Sequence, residues 1–302
     1  MSRYRRDGIV GVLEIGGSHV TSALVSGDRI ETVCRRPLNS AAAAAELVRA
    51  FAEAIVDTAA PPGTPWAIAI PGPFDYEAGV SRHAGVGKFD ALNGVPLVGP
   101  VRAAVGAESL EIRFLNDAEA FAIGEWYAGA GVRAARCVGV TLGSGIGSAF
   151  LREGRRITAG SAVPPDGELH LTRVGGVPVE DLVSRRAILR LYSSRVGGAG
   201  TESELDVKDI FDHARSGDAW AADVLTTAFA NLGRALDPWL SAFGAESLVV
   251  GGGMIGGWDV IEPALATSLA GRVAPRPSAD PVTSALVGAA VFMRRHDGSL
   301  LT

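Results

Sequence analysis

The sequence is short of lysine, of cysteine and of long apolar runs, and each shortage removes a class of protein. Two lysines, Lys88 and Lys208, occur in 302 residues, and neither stands in the Gly-Lys-Ser/Thr ending of a P-loop. Two cysteines, Cys34 and Cys137, are too few for a disulfide framework, and without a Cys-x-x-Cys pair they give no support for a structural zinc. No charge-free apolar stretch approaches the roughly 20 residues of a membrane helix; much of the mean hydropathy of +0.23 comes from Ala. Nor is there a basic run longer than a few residues, and with a net charge of −5 nucleic acid is not an expected partner. The first seven residues are basic but lead into a strand pattern rather than a signal-peptide core, so the expected location is cytoplasmic. What remains, 47% hydrophobic and 20% charged residues over a length comfortable for two domains, reads as a globular α/β chain.

The chain is organised around a layout that occurs twice. Val10 to Ile30 and Val138 to Ile157 each read as an apolar strand, a Gly-rich turn and a second strand. The first turn is Glu14-Ile15-Gly16-Gly17-Ser18; the second runs from Thr141 through Gly143, Ser144, Gly145 and Gly147 to Ser148. Glycines let the backbone approach a ligand, and successive N–H groups in such a turn make a concave anion site, so the pair suggests a polyphosphate. Ordinary tight hairpins are the plainer alternative. A dinucleotide fingerprint is excluded, because Ser148 stands where its third glycine should be and a strand pattern follows in place of a helix.

Other elements frame these turns. Glu14 ends the first strand, as a carboxylate for a hydrated Mg²⁺ or as a solvated turn acid. Ser40 is expected to cap a helix over Ala41 to Ala59. The strand Trp66 to Ile70 stops at Pro71-Gly72-Pro73, a rigid turn open to a ligand at Gly72, and the turn-rich segment from Phe74 to Pro100, with Lys88 and Asn93, reads as a binding loop or a surface excursion. A further strand delivers Asn116 and Asp117 to a helix over Ala118 to Ala128, with Asn116 as its cap and Asp117 as first-turn acid or general base. Glu168, His170 and Glu180 suit a polyhydroxylated ligand, or are surface groups. Pro238 is a potential kink in the helix Ala219 to Phe243, and Gly252 and Gly253 close a third backbone-open turn.

With these residues in hand, the chain resembles the ROK family (repressor, open reading frame, kinase) of sugar kinases, in the actin-like ATPase superfamily. The resemblance is carried by LEIGGS at 13–18, PGP at 71–73, LNDAEA at 115–120, TLGSGIGS at 141–148, Gly167-Glu168 with His170, Glu180, and VVGGG at 249–253. It implies a duplicated, ribonuclease H-like two-lobe α/β fold with the active-site cleft between lobes. The sugar-binding lobe would be 1–116 completed by a C-terminal helix at 284–297, and the nucleotide-binding lobe 117–283. It further implies a homodimer, ATP and Mg²⁺ as donor and cofactor, and phosphoryl transfer to the 6-hydroxyl of glucose or of an amino-hexose such as kanosamine. Asp117 matches the catalytic base. Gly72, Asn93, Asn116, Glu168, His170 and Glu180 match sugar contacts. Glu14, Gly16, Gly17, Ser18, Thr141, Gly143, Ser144, Gly145, Gly147, Gly252 and Gly253 match nucleotide or metal contacts. Four positions depart from the family pattern. Glu14 replaces an Asp, Gly-Glu-x-Gly-His is shortened at 167–170, the zinc-holding cysteines are missing, so no zinc is expected, and Gly87-Lys88-Phe89 stands where many members have a sugar-binding Asn. A repressor of the family would carry a helix-turn-helix ahead of the first strand, which begins near Gly8; the expectation is an enzyme, with a non-catalytic sugar sensor as the alternative.

Overall fold

The computed structural model describes residues 8–197, 205–271 and 273–295. They divide into two compact units, one within 1–124 and 282–302 and one over 125–281.

Unit 1 begins with a meander, β1 (Val10–Ile15), β2 (His19–Ser26) and β3 (Arg29–Pro37), followed by helix α1 (Ala44–Asp57) and strand β4 (Trp66–Ile70). A small hairpin, β5 (Phe74–Asp75) with β6 (Val80–Ser81), helix α2 (Val98–Val105), strand β7 (Ile112–Asn116) and helix α3 (Asp117–Ala128) come next. The sheet order is β3-β2-β1-β4-β7, with β1, β4 and β7 mutually parallel. Strands β1 and β4 are near-continuous apolar runs because both faces are covered. Helix α1 lays Leu47, Phe51 and Ile55, spaced four residues apart, into a core with Leu13, Ile15, Ile68 and Phe114. It starts three residues later than the sequence suggests and Ser40 does not cap it: Asn39 Oδ1 accepts from Ala41 N–H, and the Ala43 N-cap has no side-chain bond. Asn39 engages the backbone first and holds the chain in a turn.

Unit 2 repeats the plan. It contains β8 (Arg136–Leu142), β9 (Ile146–Arg152), β10 (Arg155–Arg156), a hairpin of β11 (Arg173–Val174) and β12 (Val177–Pro178), and helices α4 (Glu180–Val183), α5 (Arg185–Val196), α6 (Val207–Arg215) and α7 (Ala219–Phe243). Strand β13 (Ser247–Gly251), helix α8 (Trp258–Thr267) and strand β14 (Pro275–Pro277) complete it. Its order, β10-β9-β8-β13-β14, is again a meander joined to parallel strands. Asp206 and Asp209 form a capping box on α6, Asp218 caps α7, and α7 runs through Pro238 as one helix.

The last helix, α9 (Pro281–Arg294), returns to unit 1. A Cβ built on Gly288 would lie 1.8 Å from the Ala120 carbonyl oxygen, and one on Gly124 1.8 Å from that of Ser284, so α9 crosses α3 backbone to backbone. The Arg294 guanidinium donates to the carbonyls of Val25 and Gly27 at 2.7 Å each. The division between units falls inside α3, between Gly124 and Glu125, slightly beyond Asn116.

Candidate active site

In unit 1 three parallel strands end together. Glu14 of β1 is level with Ala69 of β4, and Ile70 with Asn116 of β7. Their ends therefore bring Glu14 and the Gly16–Ser18 turn, the Gly72 turn, and Asn116 with Asp117 to one edge, where open α/β sheets place ligands.

Asn116 Oδ1 accepts from the N–H groups of Ala118 (2.9 Å) and Glu119 (3.2 Å), and its Nδ2 donates to the Tyr76 hydroxyl at 3.0 Å. Tyr76 in turn donates to the Ile70 carbonyl. Asn116 is thus a helix cap clamped to the β4 end, with one amide N–H remaining for a ligand. Asp117, the first residue of α3, is half-buried and accepts from Ala118 N–H through Oδ1 at 2.9 Å, which orients the carboxylate. Asn93 is exposed, in the turn that follows Asp90–Leu92. Beneath the Pro71–Pro73 turn lies His83, buried and bonded to Ser81 Oγ; burial lowers its pKa, opposed by the Pro71 and Gly72 backbone and the Asp90 charge.

Glu14 is a strongly perturbed carboxyl on this edge. Burial first, then the charge of Asp117, pushes its pKa up to about 7, with Arg35, level with Thr21 one strand over, acting against them. The folded state therefore holds this proton more tightly than the unfolded chain. Its contribution to stability is complete at pH values below about 4.5 and is lost as pH rises through about 7. Glu14→Gln should match the wild type near pH 4.5 and exceed it by ~3 kcal/mol at pH 8.5. Chemical denaturation at the two pH values checks this, and equal gains at both would refute it.

The carboxyl of Glu14, whose proton affinity is raised beside the Asp117 charge, is a donor suited to a hard divalent cation, whose charge would offset that repulsion. Among the described residues no cluster of three or more His, Cys, Asp or Glu side chains is fit to hold a metal.

The two glycine turns differ in detail. In unit 1 four residues separate the paired Ile15 and Val20, and Gly16 N–H donates to the His19 carbonyl. In unit 2 three residues separate Leu142 and Ile146, and Gly143 N–H donates to the Gly145 carbonyl. Each turn closes on its first glycine, so these two N–H groups are spent internally. Gly17 with Ser18, and Ser144 with Gly145, carry the N–H groups suited to an anion.

In unit 2, Thr141 is level with Gly251, which sets Gly252 beside the end of β8. Gly252 has φ +90°, and a Cβ there would lie 2.4 Å from the Leu142 carbonyl oxygen, so both conformation and close approach demand glycine. Gly253 follows in the open, Gly147 lies on β9 opposite Thr141, and Glu180 Oε1 lies 3.0 Å from where a Cβ on Gly145 would stand. The structure thus brings Glu180 to the second glycine turn. Glu168 lies 3.6 Å from His170 Nε2 and 3.8 Å from Arg156 Nη2. Ser148, buried on β9, donates to the Gly167 carbonyl and accepts from Leu169 N–H, both at 2.9 Å, and so pins the Glu168 segment to the sheet. Tyr76, His83, Arg156 and Ser148 are supports that sequence reasoning missed; the Gly-x-Gly spacing around Ser148 drew attention to backbone rather than to its hydroxyl.

A glucokinase from Thermotoga maritima is 29% identical over 266 residues, 82% of each chain. Other curated relatives match about half of this chain and between 29% and 51% of their own lengths. A ROK family glucokinase from Streptomyces griseus, solved with glucose and AMPPNP, superposes with a TM-score of 0.78 at 22% identity, covering 96% of this chain and all of that one. A ROK family transcriptional regulator superposes at 0.74 with 18% identity, over 95% of this chain and 81% of its own. At these identities the superpositions speak for the fold alone. The model of the ROK family matches residues 10–293, from the first strand to the last helix, and the chain belongs to that family.

Proposed function

We propose that the chain is an ATP-dependent hexose kinase that transfers the γ-phosphoryl of ATP to the 6-hydroxyl of glucose or of an amino-hexose such as kanosamine. The observation that carries this reading is Asp117, an oriented carboxylate at the end of β7 beside Glu14 and level with the first glycine turn. The glucokinase relative that shares 82% of each chain supports it.

In this mechanism Asp117 accepts the proton of the attacking hydroxyl, a step typically worth about 10² to 10⁴ in rate. Asn116 holds Asp117 in register through the cap and offers its remaining N–H to the sugar, with Gly72 and Asn93 on the same unit. Gly17 and Ser18 present N–H groups to phosphate. Unit 2, taken by itself, presents the Ser144 and Gly145 N–H groups for phosphate, the Gly252 and Gly253 turn for a nucleoside, and Glu168, His170 and Glu180 as hydrogen-bond partners for sugar hydroxyls. Glu14 would hold a largely hydrated Mg²⁺, which when bound would neutralise charge at the phosphates.

The test is an ADP-release assay on the full chain over glucose, mannose, their N-acetylamino forms, glucosamine and kanosamine with ATP as donor, followed by detection of the sugar phosphate itself with inorganic polyphosphate in place of ATP. Saturable ADP release with glucose or an amino-hexose is the expected result. Sugar binding without turnover of any donor would replace the kinase by a sugar sensor.

A further inference from the structure

Lys88 has no task in the mechanism above, yet the fold fixes its position closely. Its segment is pinned from both sides. Asp90 accepts from Val86 N–H (2.9 Å) and Gly87 N–H (3.2 Å) through its two carboxylate oxygens, and Phe89 N–H donates to the Ser40 carbonyl at 2.8 Å. Phe89 is fully buried in the left-handed region at φ 58°, its ring edge-on to His83, the residue that supports the Gly72 turn. A bulky side chain held there costs on the order of 1–3 kcal/mol, which persists only when the surroundings over-determine it, and such outliers gather at functional sites.

The result of this anchoring is visible at Gly17. A Cβ on Gly17 would lie 3.1 Å from both Nζ and Cε of Lys88 and 3.2 Å from Cδ, so the end of the lysine rests on the glycine itself. Gly17 does not adopt a left-handed φ, so its glycine is not needed for conformation. What the missing side chain provides is room for the ammonium. Among the described residues no carboxylate pairs with Lys88. A half-buried cation seated on a turn that has already spent its first N–H is chemistry for an anion, and it adds a full charge where the remaining N–H groups add partial ones.

We propose that Lys88 is a further catalytic residue that binds the phosphoryl group in transit: the terminal phosphate of the donor before transfer and the phosphomonoester after it. This rests on the kinase reading. In the step, the bond from the γ-phosphorus to the β–γ bridging oxygen breaks and one to the sugar oxygen forms. The hydroxyl proton goes to Asp117, and Lys88 stays protonated, neutralising charge on the non-bridging oxygens.

The experiment compares wild type, Lys88→Met, Lys88→Arg and Gly17→Ala as full chains, each checked for folding by circular dichroism. The readouts are kcat from ADP release, sugar affinity without nucleotide, and affinity for inorganic tripolyphosphate. Lys88→Met should lose about 10- to 1,000-fold in kcat and about tenfold or more in tripolyphosphate affinity, with sugar affinity held within about twofold. Lys88→Arg should recover most of both, and Gly17→Ala, which displaces the amine without removing it, should fall in the same direction as Lys88→Met. Unchanged kcat and tripolyphosphate affinity in Lys88→Met would overturn the proposal, as would a loss confined to sugar affinity. Should the wild type turn over no sugar, the kinase reading fails separately. Lys88 is then judged on tripolyphosphate alone, a wild-type advantage of about tenfold supporting the anion site and none refuting it.

Discussion

Asp117→Asn is expected to lower kcat by at least about a hundredfold while nucleotide affinity stays within a few-fold of wild type. The amide is close in shape to the carboxylate and keeps an oxygen able to accept from Ala118 N–H, so the start of α3 should hold. What it loses is the capacity to take a proton, and with it the step that makes the sugar oxygen a nucleophile. Removing one of two neighbouring carboxylates also removes the second cause of the raised Glu14 pKa, so the variant should be slightly more stable than wild type above pH 7. Single-turnover ADP formation with calorimetric titration of a non-hydrolysable ATP analogue checks both halves. Near-normal turnover would take Asp117 out of its role.

The second large effect is on stability. Gly288→Ala should destabilise unit 1 by more than about 3 kcal/mol, because the added methyl meets the Ala120 carbonyl at 1.8 Å and the Gly124 nitrogen at 2.5 Å, both backbone atoms that cannot rotate away. Relief requires the two helices to separate along their crossing. Gly99→Ala in α2 is the matched control: the site is exposed and open, and alanine is the better helix former, so a gain of up to about 1 kcal/mol is expected. Equilibrium denaturation of the three proteins checks the contrast, and equal stability of Gly288→Ala and wild type would refute the backbone contact.

The duplicated layout was legible in the sequence because it depends on local pattern: two apolar runs, each ending in glycines and followed by an alternating strand, require the same turn wherever they sit. Asn116 was legible as a cap for the same reason, the signal lying within three residues. Ser40 misled because Asn39, its neighbour, takes the Ala41 N–H and the helix begins only at Ala44. The seat of Lys88 was out of reach, since Gly17 is 71 positions away and only the fold of β1 and the anchoring of Phe89 bring the two together. Tyr76 and His83 were hidden likewise, because their value lies in holding other site residues rather than in any chemistry of their own.

The return of α9 to the first sheet has a bearing on how the chain emerges from the ribosome. Residues 125–281 form an uninterrupted stretch that can bury its own core as soon as β14 is made. The earlier-synthesised half has to wait, its α3 surface bare at Ala120 and Gly124, until the final helix arrives from more than 150 residues later. The C-terminal half is thus the first to finish, a reversal of the usual vectorial order, and nascent chains stalled before Pro281 should be the ones that engage chaperones.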